Sequence, residues 1–412
     1  MAQAWKTPPV KGDSLLVKLL GNWNTDTAYY IGRRTGVEIY DSKTGERLGT
    51  VTPPEPDMRP CAMTEGLSRS GLGAIGWVKG DPLAATASCD RVSLIDTRKD
   101  GAVRWTTQVA GVPVDGKPVT DDGATLAFVD GDVLAVMTPT TVVALRPDKK
   151  VAWTWASPRA RLHVRNTDMT ARGDRITVMM GLETLGKADW TWSVSTLDAA
   201  KGRQVDATAV PMTPPEGGRV RLVGNGAPAA LVLPDGLAGN PPPPELVTFG
   251  RDGSIARRIP LATTAGPVLL HPVERANWAT RFDIAFDADA TTAYVIAGET
   301  TSLTVPASVV AYDLATGTQM WSKPVGTATT PRFLGTDKDA VYVLGGKSVS
   351  DMNIQSYAAK DGTPAKIGTV TAPDSALPVS GLVVDYRNGN LVMVETGAAP
   401  LYGAIAFRAS GS

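Results

Sequence analysis

The sequence predicts an all-β fold, an eight-bladed β-propeller with four-stranded antiparallel blades, and three observations predict it. First, one pattern recurs eight times: alternating apolar residues closing on an aromatic or aliphatic anchor, often Asp, a short polar turn, then a strand that often carries Trp. The anchors are Tyr40, Ile95, Leu145, Leu197, Phe249, Tyr312, Tyr357 and Phe407, spaced 45 to 63 residues apart. A sheet of four strands of roughly 5–6 residues needs about that much chain, and sheets repeated radially form propellers of about 4–8 blades. Second, 42 Gly and 31 Pro in 412 residues supply many turns and leave little room for long helices. Third, the last unit stops at Ala404-Ile405-Ala406-Phe407-Arg408 without a Trp-bearing strand, and Ala4-Trp5-Lys6 has the look of the missing one. The N-terminus is therefore expected to supply the outermost strand of the last blade, which removes two open edges. One propeller is expected over 1–412, with seven blades as the fallback should a weak repeat fail.

Within each unit the strands are named A to D from the axis outward. In the seventh, A is expected near Arg332-Phe333-Leu334 and B at Ala340–Leu344. C is expected at Ile354–Tyr357 and D near Pro364–Ile367. Strand alternation puts B–C and D–A loops on one face and A–B and C–D turns on the other. The B–C loops vary: Leu182–Asp189, Pro234–Pro244 with its four consecutive prolines, Gly298–Pro306 and Gly345–Met352. Variable loops on a rigid scaffold mark the expected working face.

Composition narrows the function. Lys+Arg and Asp+Glu number 41 each, for a net charge of 0, which argues against a nucleic-acid partner. Two His and two Cys leave little for a metal centre. His163 and His271 fall in different units. Asp287-Ala288-Asp289-Ala290-Thr291-Thr292 reads as a hairpin turn, not a ligand cluster. No phosphate-cradling loop, G-x-S-x-G or H-x-x-x-H occurs. Met1-Ala-Gln-Ala-Trp5 is not an intact signal peptide, and Leu15–Leu20 is too short and too charged to span a bilayer. Either a whole cytosolic protein or an ectodomain whose signal or anchor lies outside this sequence is compatible with these ends.

The Asp-x-x-Thr-Gly-x-x-x-Trp element, clearest at Asp313-Leu314-Ala315-Thr316-Gly317-Thr318-Gln319-Met320-Trp321, resembles the tryptophan-docking motif of quinoprotein-type (PQQ-like) β-propeller repeats, and the likeness covers essentially the whole chain. The balance of Ala, Asp, Gly, Arg and Trp is also similar to extracytoplasmic actinobacterial propellers. The resemblance implies docking roles between blades for Trp5, Trp105 and Trp321, with large flat rings packed at the seams. A quinone-dependent dehydrogenase of this kind would need a calcium held by carboxylates and an amide, a catalytic Asp and, usually, an adjacent Cys pair. Cys61 and Cys89 are not adjacent and no suitable acidic cluster recurs, so neither an enzyme nor a bound cofactor is expected. Cys61, expected to begin the A strand of the second blade, and Cys89, expected to begin its C strand, are instead expected to form a disulfide, the Lys79–Ser88 loop bending inward to close the gap. That bond and the resemblance together imply an oxidising, extracytoplasmic setting.

Two sets of residues are candidates for contacts. Trp190 and Trp192 share a strand face beside the Leu182–Asp189 loop. Arg59, Lys117, Arg165, Arg221, Arg281 and Arg332 recur at the expected starts of inner strands, where they would form a cationic channel mouth attracting an anionic ligand or partner unless each is paired locally. The function expected is non-enzymatic: an extracytoplasmic binding, sensor or scaffold propeller holding a protein or anionic envelope ligand on its loop face. Any membrane attachment would come through an anchor outside this sequence. The rivals are an assembly scaffold resembling the outer-membrane-assembly lipoprotein and a quinone-dependent dehydrogenase.

Overall fold

The computed structural model describes residues 1–10, 16–81, 89–109, 124–129, 131–138, 140–157, 164–183, 190–205, 209–215, 217–223, 228–235, 242–270, 272–274, 280–282, 284–298, 306–327, 331–348, 351–370, 382–387, 390–395 and 403–408. For some of these, Arg165, Trp190 and Arg281 among them, only the backbone is described. The described residues hold eight four-stranded antiparallel sheets, one two-stranded antiparallel ribbon and one short 3-10 turn at Thr97–Lys99. The fold is an eight-bladed β-propeller.

All eight anchors lie on C strands, and each is buried. Alternation sends the apolar residues of every blade to its two faces, so the core is a set of seams between neighbouring blades. Leu231, Leu246 and Ile259 of blade 5 meet Val295, Val310 and Tyr312 of blade 6, for example. Blade 8 is assembled from both ends of the chain: Leu382–Arg387, Asn390–Glu395 and Ala404–Arg408 are its A, B and C strands, and Ala2–Lys6 is its D strand. Trp5 pairs with Ala406, between Gln3↔Phe407 and Lys6↔Ile405. Thr7 continues the closure, donating its backbone N–H to the Ala404 carbonyl at 2.9 Å and accepting from Ala404 N–H on its hydroxyl at 2.8 Å. The buried Arg33 guanidinium stitches the same seam, donating to the carbonyls of Val17 and Gly403.

Three elements differ from expectation. The inner strand of blade 3 runs Thr125–Val129, well beyond position 117. In blade 6 the inner strand is split: Val268 bridges Ala297, the chain then leaves as a two-stranded ribbon (Pro272–Glu274 against Thr280–Phe282), and it returns as Ala285–Phe286 beside Ala293 and Tyr294. The long interval between Phe249 and Tyr312 is this insertion. Between blade 7's B and C strands, Ala340–Ser348 and Asp351–Ala358 extend the hairpin, so Gly345–Met352 is mostly strand rather than loop.

Candidate functional site

The two faces of the disc are built differently. On one, the C–D turns are closed by their own side chains. Asp41 Oδ1 accepts from the N–H groups of Lys43 and Thr44, both at 2.7 Å, and Asp313 Oδ1 from those of Ala315 and Thr316, at 2.7 and 2.9 Å. These bonds, led in each case by the Thr N–H, hold both carboxyls below their ordinary range. Each turn ends on a glycine in the left-handed region, Gly45 at φ +70° and Gly317 at φ +76°, which an L side chain rarely adopts.

This turn face also carries the locks between blades. Trp5 donates its indole N–H to the Ser42 carbonyl at 3.1 Å, Trp105 to Pro147 at 2.8 Å, Trp153 to Ala199 at 2.8 Å and Trp321 to Ala359 at 3.0 Å. Every acceptor lies one or two residues beyond the end of the next blade's C strand. The rings of Trp5 and Trp321 lie so close over Gly45 and Gly362 that an added Cβ would come within 2.6 Å of them. The docking expected of Trp5, Trp105 and Trp321 is what the structure shows, and Trp153 joins them. Where no Trp is present another donor reaches the same kind of turn. Tyr30 Oη donates to Thr97 at 3.3 Å, Arg175 Nε to Arg251 at 3.1 Å and Arg257 Nη2 to Ala315 at 2.5 Å. The remaining seam, between blades 7 and 8, has no continuous C–D turn to receive a donor, and there the Met1 ammonium donates to the Thr369 carbonyl.

The opposite, loop face carries the strand ends separated by the longest stretches of sequence, Lys6 and Leu19, Gln108 and Thr125, and Pro260 and Ala285, the ribbon falling between the last two. Above blade 2 it presents a mixed-charge patch. Glu55 accepts from Lys79 Nζ at 3.1 Å and from Arg91 Nη1 at 3.2 Å, and Lys79 and Arg91 hold the Glu55 carboxyl below its ordinary range, the Lys79 hydrogen bond most strongly. Arg59, at the start of the adjoining inner strand, is exposed.

Under this patch lies the Cys61–Cys89 disulfide, with the two Cα atoms 5.9 Å apart. Cys61 sits inside strand A (Met58–Met63) rather than at its start, at a register shift between Pro60 and Ala62, and Cys89 stands just ahead of strand C (Arg91–Asp96). The bond passes over strand B at Gly76, where an added Cβ would stand 2.9 Å from Cys89 Sγ and 3.4 Å from Cys61 Sγ. A glycine inside a strand often marks such a close approach, and this was the available signal for the crossing. Both sulfurs belong to the buried cluster joining blades 2 and 3.

Of the six cationic positions, the side chains of Arg59, Arg221 and Arg332 are described. Lys117, like the Lys79–Ser88 loop beyond Asp81, lies outside the described residues, as do His163 and His271; the described start of blade 3's inner strand is Thr125. Arg281 is on the inserted ribbon, opposite Val273, rather than on an inner strand. Arg165 is on the inner strand of blade 4, backbone only. Arg221 lies 5.5 Å over the Trp192 ring and donates to the Val220 carbonyl at 3.1 Å. Burial and then Arg219 lower its pKa, against an opposing pull from Asp168 on blade 4. Arg332 is buried, at 8% exposure. Trp192, at 2% exposure, is packed in the seam between blades 4 and 5 and is not an exposed contact. Its spacing of two from Trp190 set its strand face, but not which neighbour covers that face. Arg59 alone of the described side chains in the set remains at the surface.

The quinone-dependent reading can be tested on these residues. The cysteine bond crosses a strand inside the blade 2–3 core, and among the described residues no three His, Cys, Asp or Glu side chains gather as a metal-holding group. Among the described residues, the carboxylates, amides and bonded cysteines are not gathered in the arrangement that the resemblance would require of a calcium–quinone site.

No family model matches the chain, and no curated protein matches it. Similar solved structures include a quinohemoprotein alcohol dehydrogenase from Pseudomonas putida, with 13% identity, a TM-score of 0.51, and coverage of 100% of this chain and 76% of that one. The quinohemoprotein alcohol dehydrogenase of Comamonas testosteroni is 12% identical, with a TM-score of 0.50 and coverage of 98% and 76%. At such identity the likeness is one of fold alone, that of a β-propeller. No helix among the described residues is long and apolar enough to cross a membrane.

Proposed function

We propose that this chain is a non-enzymatic binding module working outside the cytoplasm, and that it holds a protein partner on its loop face. One observation carries the reading: the division of labour between the faces. The turn face spends its polar groups on Asx turns and seam locks, whereas the loop face carries the strand ends farthest apart in sequence, the ribbon falling between two of them, and an exposed charged patch. A rigid scaffold with its variable chain on one side is the usual arrangement for binding. The disulfide supports the compartment, because such bonds persist where the surroundings are oxidising. The partner is a protein rather than an anionic polymer because the patch mixes signs: Arg59 and Lys79 stand beside Glu55 and Asp57. The dehydrogenase rival keeps the fold but lacks support from the donor set.

The test is a photo-cross-linking residue placed at Lys79 on the loop face or at Lys43 on the turn face, in the cells that make the protein. A discrete cross-linked protein from position 79 and not from 43 is the expected result. Equal products from both positions, or a product from 43 alone, would overturn the reading. Uptake of pyrroloquinoline quinone with calcium would favour the enzyme instead.

A further inference from the structure

The seam between blades 5 and 6 is covered less closely than the seams closed by Trp5 and Trp321, and the reason is one residue. In the docking motif the ring stands four residues after the turn glycine: Gly101 and Trp105, then Gly317 and Trp321. In blade 5 the same step leads from Gly253 to Arg257. The aliphatic stem of Arg257 covers Gly317, the turn glycine of blade 6, but its atoms stand 3.5 Å from an added Cβ there and those of Ile259 3.4 Å, against 2.6 Å at Gly45 and Gly362 beneath their rings.

Beside this thinner lock is a cleft of about 430 Å³. The corresponding cleft at the seam of blades 8 and 1, where Trp5 is in place, holds about 180 Å³. The wider cleft is lined by Phe286, Leu314 and Met320, with Thr248 and Thr292 among its polar groups. Met320 is 44% exposed. Leu314 holds the position of Ser42, Ala199 and Ala359, whose carbonyls receive indole N–H groups at the other seams.

We propose that the cleft between blades 5 and 6 is a docking site for a tryptophan side chain presented by a partner polypeptide. The chain itself shows the complement: at four other seams an indole rests against a turn of this construction. Two features of this seam suit an incoming ring as well. The Arg257 guanidinium, fixed to the Ala315 carbonyl at the rim, can stand over an aromatic face. The flexible thioether of Met320 adapts to an aromatic edge. The site lies on the turn face and is separate from the loop-face reading.

The experiment is calorimetric titration of the intact chain with N-acetyl-tryptophanamide, which mimics a Trp residue within a peptide. Saturable binding is expected, at least tenfold weaker in Arg257→Trp, whose own indole would fill the slot, and at least fivefold weaker in Met320→Lys, an exposed change that leaves the core intact. Absence of saturable heat overturns the proposal. So does equal binding of N-acetyl-leucinamide, or unchanged binding in both variants. Tighter binding of free tryptophan than of the amide would assign the cleft to a small molecule and overturn the peptide source.

Discussion

The turn face and the loop face of this propeller are made from the same strands, yet they spend their side chains on different tasks. On the turn face, seven of the eight seams direct a side-chain donor at a backbone carbonyl in the next blade's C–D turn, and the donor can be Trp, Tyr or Arg. The acceptor stays constant because it is backbone, positioned by the turn. On the loop face the disulfide crosses a strand, and the exposed ions pair with one another. The difference teaches that stability in this ring is concentrated on one side, which leaves the other free to vary. Substitutions on the turn face should therefore cost stability, and those on the loop face should cost binding.

The largest expected effect is at the closure. Trp5→Ala removes a buried indole, 5% exposed, from the only blade made of both chain ends. Loss of a large core aromatic costs about 3–5 kcal/mol. A thermal melt should shift down by several degrees, and deletion of residues 1–8 should shift it further. An unchanged melt would remove the closing strand from the account.

The disulfide comes next, as the stabilising element that breaks the pattern by lying towards the loop face. The bond closes a separation of 28 residues, for which chain-entropy estimates give roughly 3–4 kcal/mol. Thiol titration of the unreduced, denatured protein should find no reactive groups. The Cys61→Ser/Cys89→Ser pair should lower the denaturation midpoint by about that amount, and two free thiols in the native chain would contradict the compartment argument.

A smaller effect is expected at Asp96, whose side chain is 1% exposed and accepts from Arg104 Nη2 at 2.7 Å in the C–D turn of blade 2. Burial by itself would raise this carboxyl, but the bonds from Arg104 and Arg98 prevail and hold it below its ordinary range. The folded pKa is depressed, so its stabilising contribution is present above the unfolded value, about 3.9, and is lost as pH falls through the folded value. Asp96→Asn should cost roughly 1.5–3 kcal/mol near neutrality, as for hydrogen bonds to charged groups. The gap between wild type and variant in urea melts should be steady from pH 5 to 7 and narrow below about pH 4. A gap that widened on acidification would contradict the assignment.

The smallest effect belongs to the loop face. Arg59→Ala should move stability by no more than about 0.5 kcal/mol, as is usual for exposed side chains, while weakening capture of the partner found by cross-linking at position 79. A large loss of stability at Arg59 would blur the contrast between the faces.

Much of the scaffold was legible in the sequence because the repeat is written in buried residues. Tyr40 and its seven counterparts all occupy C strands, and Ala2–Lys6 closes blade 8 beside Ala404–Arg408. The locks were half legible. Trp105 and Trp321 announce themselves four residues after a turn glycine, whereas Tyr30, Arg175 and Arg257 look like ordinary strand residues until the neighbouring blade is in place. Two positions of the cationic alignment, Arg281 and Arg221, differ from expectation for a related reason. The alignment assumed uninterrupted inner strands, but Arg281 belongs to a ribbon inserted in one, and Arg221 is spent on covering Trp192. Nothing local in a sequence tells an arginine at a channel mouth from one that lids a neighbouring ring.

Hydrogen exchange of the intact chain, alone and with the partner identified by cross-linking, tests the division between the faces most directly. New protection is predicted in peptides covering the B–C and D–A connections, above all those spanning Val51–Asp57 and the ribbon, with the C–D turns at Asp41–Gly45 and Asp198–Gly202 unchanged. Protection confined to those turns, with the loop-face connections exchanging as in the free chain, would contradict the account.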